Sequence, residues 1–351
     1  MSKINFALAS YEGTVLWRFF DSVSSAVAGR MLRGSPPGEE NLTFLLCELL
    51  DEGATGLHNL DYPLSRVREE LERSDAGIAV DFAFETHEHS RFFESEYSGA
   101  DLGIVVVVNH PILGHSRRAF LLQAKRLFQQ KRSREFSLFS SYESFKQKQA
   151  AFLKDLAARF GAYSSVFYLW YNPPSAAFPE DQAKVIRAYE AHGYLAPYWR
   201  HMHPFMDDLL EMGFPLSPGG RGMGGSASPE DEDQAREWRG RQPALRVSEL
   251  DTVLSVAGSG TMPGLKLLYD TRLERSRQVS FSPFADFFLL ALANSRYGSG
   301  NEEWINLAEG KTVKVPLAQE GKDDSLQELD HPPIPRHTIK ITVRSTLPQV
   351  G

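Results

Sequence analysis

The sequence predicts an α/β fold, a central mixed sheet flanked by helices in the order αβββαβ, followed by a C-terminal extension. Three observations carry that prediction. Apolar runs at 102–108 and 119–125 have strand length and enclose a segment with turn residues. A helical apolar stripe follows at 140–160, behind a capping signature. A β-branched and aromatic run, Ser165 to Tyr171, then stops abruptly at Asn172-Pro173-Pro174.

Taken in order, Pro36-Pro37-Gly38 followed by Glu39-Glu40 opens a helix that turns Leu42, Leu45, Leu46 and Leu49 inward. Gly77 to Phe84 alternates apolar with small or polar residues and reads as a strand lying beside the hairpin that follows. That hairpin is built from the two apolar runs, with Pro111 and Gly114 in its turn. Centred near Leu113, it sets Asp101 opposite Lys125. Residues i and i+2 of a strand share a face, so Gln123 and Lys125 project together while Leu122 and Ala124 point the other way. Ser140 as N-cap and Glu143 three residues on open the next helix, with Phe145, Phe152, Leu153, Leu156 and Phe160 on one face.

An acid, an amide and an ammonium thus converge at one end of a two-stranded unit. Hydrolysis of a phosphodiester needs an activated water and neutralisation of the charge that builds on phosphorus. Mg²⁺ or Mn²⁺ suits this, because a hard cation takes oxygen ligands and keeps several waters, so one or two carboxylates suffice. The plain alternative for Asp101 and Lys125 is a buried structural ion pair, which is often no better than apolar residues in its place.

Asp101 on the first strand and Gln123-Ala124-Lys125 on the second resemble the active-site hairpin of the PD-(D/E)xK, or restriction-endonuclease-like, nucleases. The variant with Gln in place of the second acid, as in Mrr-type enzymes, is the nearest likeness. Ala100 stands where the motif's proline would be. The resemblance covers about residues 36–175, within a first domain of 1–215. It implies a restriction-endonuclease-like core and a Mg²⁺- or Mn²⁺-dependent endonuclease acting on DNA, in bacterial restriction or anti-phage defence. It further implies Asp101 as central metal ligand, the Ala124 carbonyl and Gln123 as further ligands, and Lys125 as the group that orients the attacking water. Glu39 would be an auxiliary ligand from the first helix. Glu39 lies nearer the leucine stripe than Glu40; the alternative for both is complementing the helix dipole. Glu94 and Glu96 are further candidate acids, or else solvated loop charges.

Composition bounds the reading. At 351 residues with 42% hydrophobic content, the chain can bury a sizeable core. One cysteine, Cys47, excludes a disulfide framework. No apolar run has transmembrane length and Met1-Ser2-Lys3-Ile4-Asn5 lacks a signal peptide's apolar stretch, so a cytoplasmic protein with no membrane partner is expected. The net charge of −7 argues against a protein coated in nucleic acid. Yet Arg117, Arg118, Arg126, Lys131, Arg132 and Arg134 crowd around Lys125, and such a patch would draw a phosphate backbone. The alternative is a solvated basic loop.

Beyond Tyr171 the patterns weaken. Helices are expected over 179–194 and 205–212, and a flexible glycine-rich then acidic loop over 216–240. Its glycines, like Gly258 to Gly264, lack the Gly-Lys-Ser/Thr of a phosphate loop. The extension, 241–351, carries a helix at 283–293 and a strand at 338–344 of unassigned role. His87 with His89, and His201 with His203, lack a third ligand at zinc spacing, so hydrogen-bonded histidines are expected. His115, in the turn, could touch DNA. Three functions compete: a DNA endonuclease; a nuclease for RNA or branched structures; and an inactive nuclease fold used as a binding scaffold. A second copy of the chain or a defence-system protein is a candidate partner.

Overall fold

The computed structural model describes residues 11–54, 60–73, 80–89, 100–110, 114–130, 133, 135–137, 139–142, 147–183, 245–249, 282–294, 297–311, 313–316, 326–328 and 334–345. In chain order its longer elements are helices α1 (Tyr11–Gly29), α2 (Glu39–Leu50) and α3 (Leu64–Glu72); strands β1 (Val80–Glu88), β2 (Leu102–His110) and β3 (Gly114–Arg126); helix α4 (Gln147–Arg159); and strands β4 (Val166–Tyr171), β5 (Leu245–Glu249) and β6 (Ser282–Pro283). Helices α5 (Phe284–Ala293) and α6 (Glu302–Ala308) and strands β7 (Lys314–Pro316), β8 (Leu326–Glu328) and β9 (His337–Ser345) complete the set.

One mixed sheet organises the chain, in the order β1-β9-β2-β3-β4-β5-β6, with β7 and β8 as a separate pair. Strands β2 and β3 are antiparallel, β3 and β4 parallel. Two expectations are corrected here. Strand β1 does not border the hairpin: β9 lies between, antiparallel to β1 and parallel to β2. Its alternating Ile339, Ile341 and Val343 are buried, which suits an inner strand. The hairpin also closes one residue earlier than expected, with His110 opposite Gly114 and Leu102 opposite Leu122. Gly114 adopts φ +92°, a left-handed conformation that glycine accepts without a Cβ clash.

One face of the sheet carries an aromatic core. Phe20 of α1 stacks on Phe288 of α5 with ring centroids 4.5 Å apart, and Phe19 meets Phe84 of β1 at 5.3 Å. Helix α2 joins the same layer through buried Leu42, Leu46 and Leu49. It ends at extended Asp51, whose Oδ2 accepts from the Thr86 amide and hydroxyl at 3.0 and 2.8 Å, tying the helix to β1. The other face holds α4 and α6. Gly103 permits this, since a Cβ there would collide with the Ala308 carbonyl at the end of α6. Helix α4 buries Ala150, Leu153, Leu156, Ala157 and Phe160, whereas Phe152 is exposed, contrary to expectation. It flanks the i, i+3, i+7 stripe instead of lying in it.

Ser140 does not cap α4. Ser141 and Tyr142 make bridge contacts and the helix begins at Gln147, while Ser140 Oγ accepts from the Ser137 amide at 3.0 Å. The loop at 216–240, the segments 205–212 and 258–264, and most of 179–194 lie outside the described residues. Among the described residues, no helix is long and apolar enough to cross a membrane.

Candidate functional site

The end of β3 is a tetrapeptide in which every residue is bonded to another part of the chain. Gln123 Nε2 donates to Gln149 Oε1 of α4 at 2.9 Å. The Ala124 amide donates to Asp101 Oδ2 at 2.7 Å. Lys125 Nζ lies 3.5 Å from Glu39 Oε1, at the first residue of α2. The Arg126 amide donates to Glu39 Oε2 at 3.1 Å, and its guanidinium donates to the carbonyls of Pro36 and Pro37. Alternation along β3 sends Gln123 and Lys125 to one face, and Glu39 reaches Lys125 around the end of the sheet.

Asp101, Gln123, Lys125 and Glu39 are therefore brought together, but not as the expected register had it. Asp101 stands just before β2. Its amide donates to the Leu122 carbonyl at 3.0 Å and its carbonyl accepts from the His337 amide at 3.1 Å. Its carboxylate meets the backbone of Ala124, so the contact expected with Lys125 across the strands is replaced by one to the middle of the Gln123-Ala124-Lys125 tripeptide. Between the two glutamates of α2 the structure discriminates: Glu39 faces Lys125, and Glu40 pairs with Arg336 at 3.0 Å.

Burial sets the electrostatics. Asp101 keeps some solvent exposure but is surrounded by protein, and its carboxyl is pushed up to about 7. Burial is the main cause and the Glu39 charge adds to it; Lys125, the Ala124 amide and Arg336 pull the other way. Glu39 is likewise raised by burial, against the pull of Lys125 and Arg126. Tyr168, the cross-strand neighbour of Gln123 on β4, has its phenol raised by burial and then by Asp101, so it stays protonated.

The oxygen set suits a hard cation. Two carboxylates can ionise, and Gln123 Oε1 is buried with no hydrogen-bond partner among the described residues. An acceptor of that kind is costly unless something donates to it or binds it. Among the described residues no three His, Cys, Asp or Glu side chains form a metal cluster, so any cation here would rest on the amide and backbone as well.

The basic residues divide. Arg118 is corrected from a nucleic-acid contact to a core residue: it is 2% exposed and its guanidinium donates to the Asn294 carbonyl. Arg117 is held by Glu302 and Glu309 at 2.5 and 2.6 Å. Arg117 and Lys125 are eight residues apart on one strand, which at about 3.3 Å each separates them by roughly 26 Å. Arg126 is committed to Pro36, Pro37 and the ring of Phe128, 3.9 Å from its guanidinium carbon. Lys131, Arg132, Arg134, Glu94, Glu96, His201 and His203 lie outside the described residues. His87 and His115 are exposed, and His89 Nε2 lies 3.0 Å from Thr338 Oγ1.

Residues that the sequence did not single out also border the site: Gln149, Tyr168 and Arg336. No local pattern marks Arg336, because β9 reaches Asp101 only through the order of strands. Comparison of the chain with protein-family models and with curated proteins, and of its structure with solved structures, finds no match.

Proposed function

We propose that the chain is a metal-dependent nuclease of the PD-(D/E)xK kind, with a D…QxK site that hydrolyses phosphodiester bonds in DNA. The observation that carries this reading is the convergence of Asp101, Gln123, Lys125 and Glu39 at one end of the β2–β3 hairpin. The run of α2, the hairpin, α4 and β4 supports a restriction-endonuclease-like core, into which β9 is inserted.

Asp101, Glu39, the Gln123 amide oxygen and the Ala124 carbonyl would hold Mg²⁺ or Mn²⁺. When bound, such an ion supplies Lewis acidity toward the phosphate and lowers the pKa of a coordinated water. The chain's own groups do the rest. Asp101 would bind as the carboxylate, which the Ala124 amide holds in place. The Lys125 ammonium, positioned by Glu39, orients the attacking water and offsets charge on the phosphoryl oxygens. Nothing here calls for a covalent nucleophile. A defence setting, and a second copy or a defence-system protein as partner, belong to the same proposal.

The Lys125–Glu39 pair is also what an inactive scaffold would keep. Incubation with plasmid, linear duplex, single-stranded DNA and RNA, each with Mg²⁺, Mn²⁺ or EDTA, separates the readings. Cleavage of duplex DNA that EDTA stops is expected. Cleavage of RNA alone would move the assignment, and no cleavage of any substrate would leave the scaffold.

A further inference from the structure

The Gln123 amide is satisfied on one side only. Its Nε2 donates to Gln149 Oε1 at 2.9 Å, whereas its Oε1 is buried and unpartnered among the described residues. Two facing glutamines can pair in two ways, related by turning both amides over. In the other arrangement Gln149 would donate to Gln123 Oε1, and the unpartnered group would be an NH₂, which offers a cation no lone pair. The arrangement present leaves the oxygen available instead. Gln123 also directly precedes Ala124, whose amide donates to Asp101 Oδ2, so one short stretch of β3 carries the one oxygen and holds the other.

We propose that Gln149 is a positioning residue: by accepting from Gln123 Nε2, it fixes the amide with Oε1 turned to the divalent cation. The inference rests on the nuclease reading and deepens it, because it makes α4 part of the metal site. It also explains how an amide can stand where an acid is commoner. A carboxylate offers oxygen in either orientation; an amide must be held the right way round, and an acceptor on α4 does that. Outer partners of this kind typically govern metal affinity by about 10–100-fold.

The test is Mn²⁺ binding to the full chain by calorimetry, read beside plasmid cleavage and the thermal midpoint. Gln149→Leu, of similar volume in a half-buried helical position, should bind Mn²⁺ about 10–100-fold more weakly with little change in midpoint. Gln149→Ala carries the same expectation should the leucine variant fail to fold. Gln149→Glu can accept but not donate, so it should bind at least as well as wild type. Gln123→Glu alone should bind well, since the Gln149 amide can turn to donate; combined with Gln149→Glu it should lose that gain, because two acceptors then face each other.

Wild-type affinity in Gln149→Leu would overturn the inference and leave the nuclease reading standing if wild type still cuts. Loss in Gln149→Glu equal to that in Gln149→Leu would also overturn it, since Gln149 would then be a donor. A wild-type chain that neither binds Mn²⁺ nor cuts any nucleic acid would remove both.

Discussion

At the turn end of the β2–β3 hairpin, Arg117 lies between Glu302 and Glu309, and Lys311 meets Glu309 from the other side at 2.5 Å. At the opposite end, Lys125 and the Arg126 amide share Glu39, and Asp101 is raised by burial and by that same glutamate. Both ends carry basic residues on one strand, yet their states differ. At the turn end the charges of Arg117 and Lys311 are matched by Glu302 and Glu309 and partly exposed, so they stabilise each other weakly and locally. At the site end two buried carboxylates crowd together, and among the described residues the Gln123 amide oxygen has no donor. Uncompensated oxygen at a buried strand end is what a cation would satisfy; matched pairs need nothing further.

The widest gap between the ends should appear in catalysis. Asp101→Ala should abolish metal-dependent cleavage, because the carboxylate best placed to ligate the ion is gone. Lys125→Ala should lower kcat by about 10²–10³-fold, the usual scale for one electrostatic partner of the transition state. Gln123→Glu, which restores the commoner ExK set, should keep or strengthen Mn²⁺ binding. The comparison breaks if Asp101→Ala, folded as judged by its thermal midpoint, cuts normally.

Stability should respond in the reverse direction. Arg118 is buried near the turn end, with its pKa lowered to about 10 by burial and its Nε and Nη2 unpartnered among the described residues. Arg118→Ala should cost about 2–4 kcal/mol in a denaturant titration, from the cavity it leaves and from the guanidinium bond that the Asn294 carbonyl loses while keeping the one from the Tyr297 amide. Arg118→Met, which fills the space and removes the unsatisfied donors, should cost much less. A loss in Arg118→Met equal to that in Arg118→Ala would mean that the charge itself is needed.

Arg118 also illustrates what the sequence could and could not tell. The leucines of α2, the apolar runs of β2 and β3 and the aromatic run of β4 are local patterns, and each element formed where its pattern lies. The i, i+2 spacing of Gln123 and Lys125 likewise put both on one face. What was not legible was non-local. Nothing in Thr338 to Arg344 announces that its strand enters between β1 and β2, and nothing in a charged residue announces its partner. Arg117 and Arg118 therefore read as part of a phosphate-binding patch until α6 and the Asn294 carbonyl took them. The hairpin's centre moved by one residue, which puts Asp101 level with Gln123 instead of Lys125, for a similar reason: Pro111 and Gly114 mark a turn without fixing its centre.

A subtler contrast is the sign of pH dependence. Asp101, raised to about 7 in the fold and near 3.9 when unfolded, favours folding fully below about pH 4, and this contribution is lost as pH rises through 7. Glu309 behaves oppositely. Burial raises it, but Arg117 and Lys311 outweigh burial and hold it below its ordinary value, so its contribution is present above that value and lost on acidification. In EDTA, wild type should lose stability relative to Asp101→Asn between pH 5 and 8, by on the order of 2–3 kcal/mol. Saturating Mn²⁺ should restore it at pH 8 and do little at pH 5, where protons hold the ligands. Equal Mn²⁺ stabilisation at both pH values would mean that the ion binds elsewhere.

The smallest effect should come from Arg117→Ala. Its side chain is 32% exposed and Glu302 is 65% exposed, so that pair works largely in water. Exposed ion pairs contribute about 0–1 kcal/mol, and Glu309 would still have Lys311. The midpoint should fall by no more than that, and the difference from wild type should shrink in 0.5 M NaCl as screening removes what the pair supplied (a Debye length of about 3–10 Å over that range of salt). Cleavage should be unchanged in both kcat and KM, because the guanidinium is engaged by glutamates some 26 Å, roughly, from Lys125. A several-fold rise in KM for DNA with a shallower salt dependence would make Arg117 a phosphate contact, and the turn end would then have to be counted as part of the binding surface.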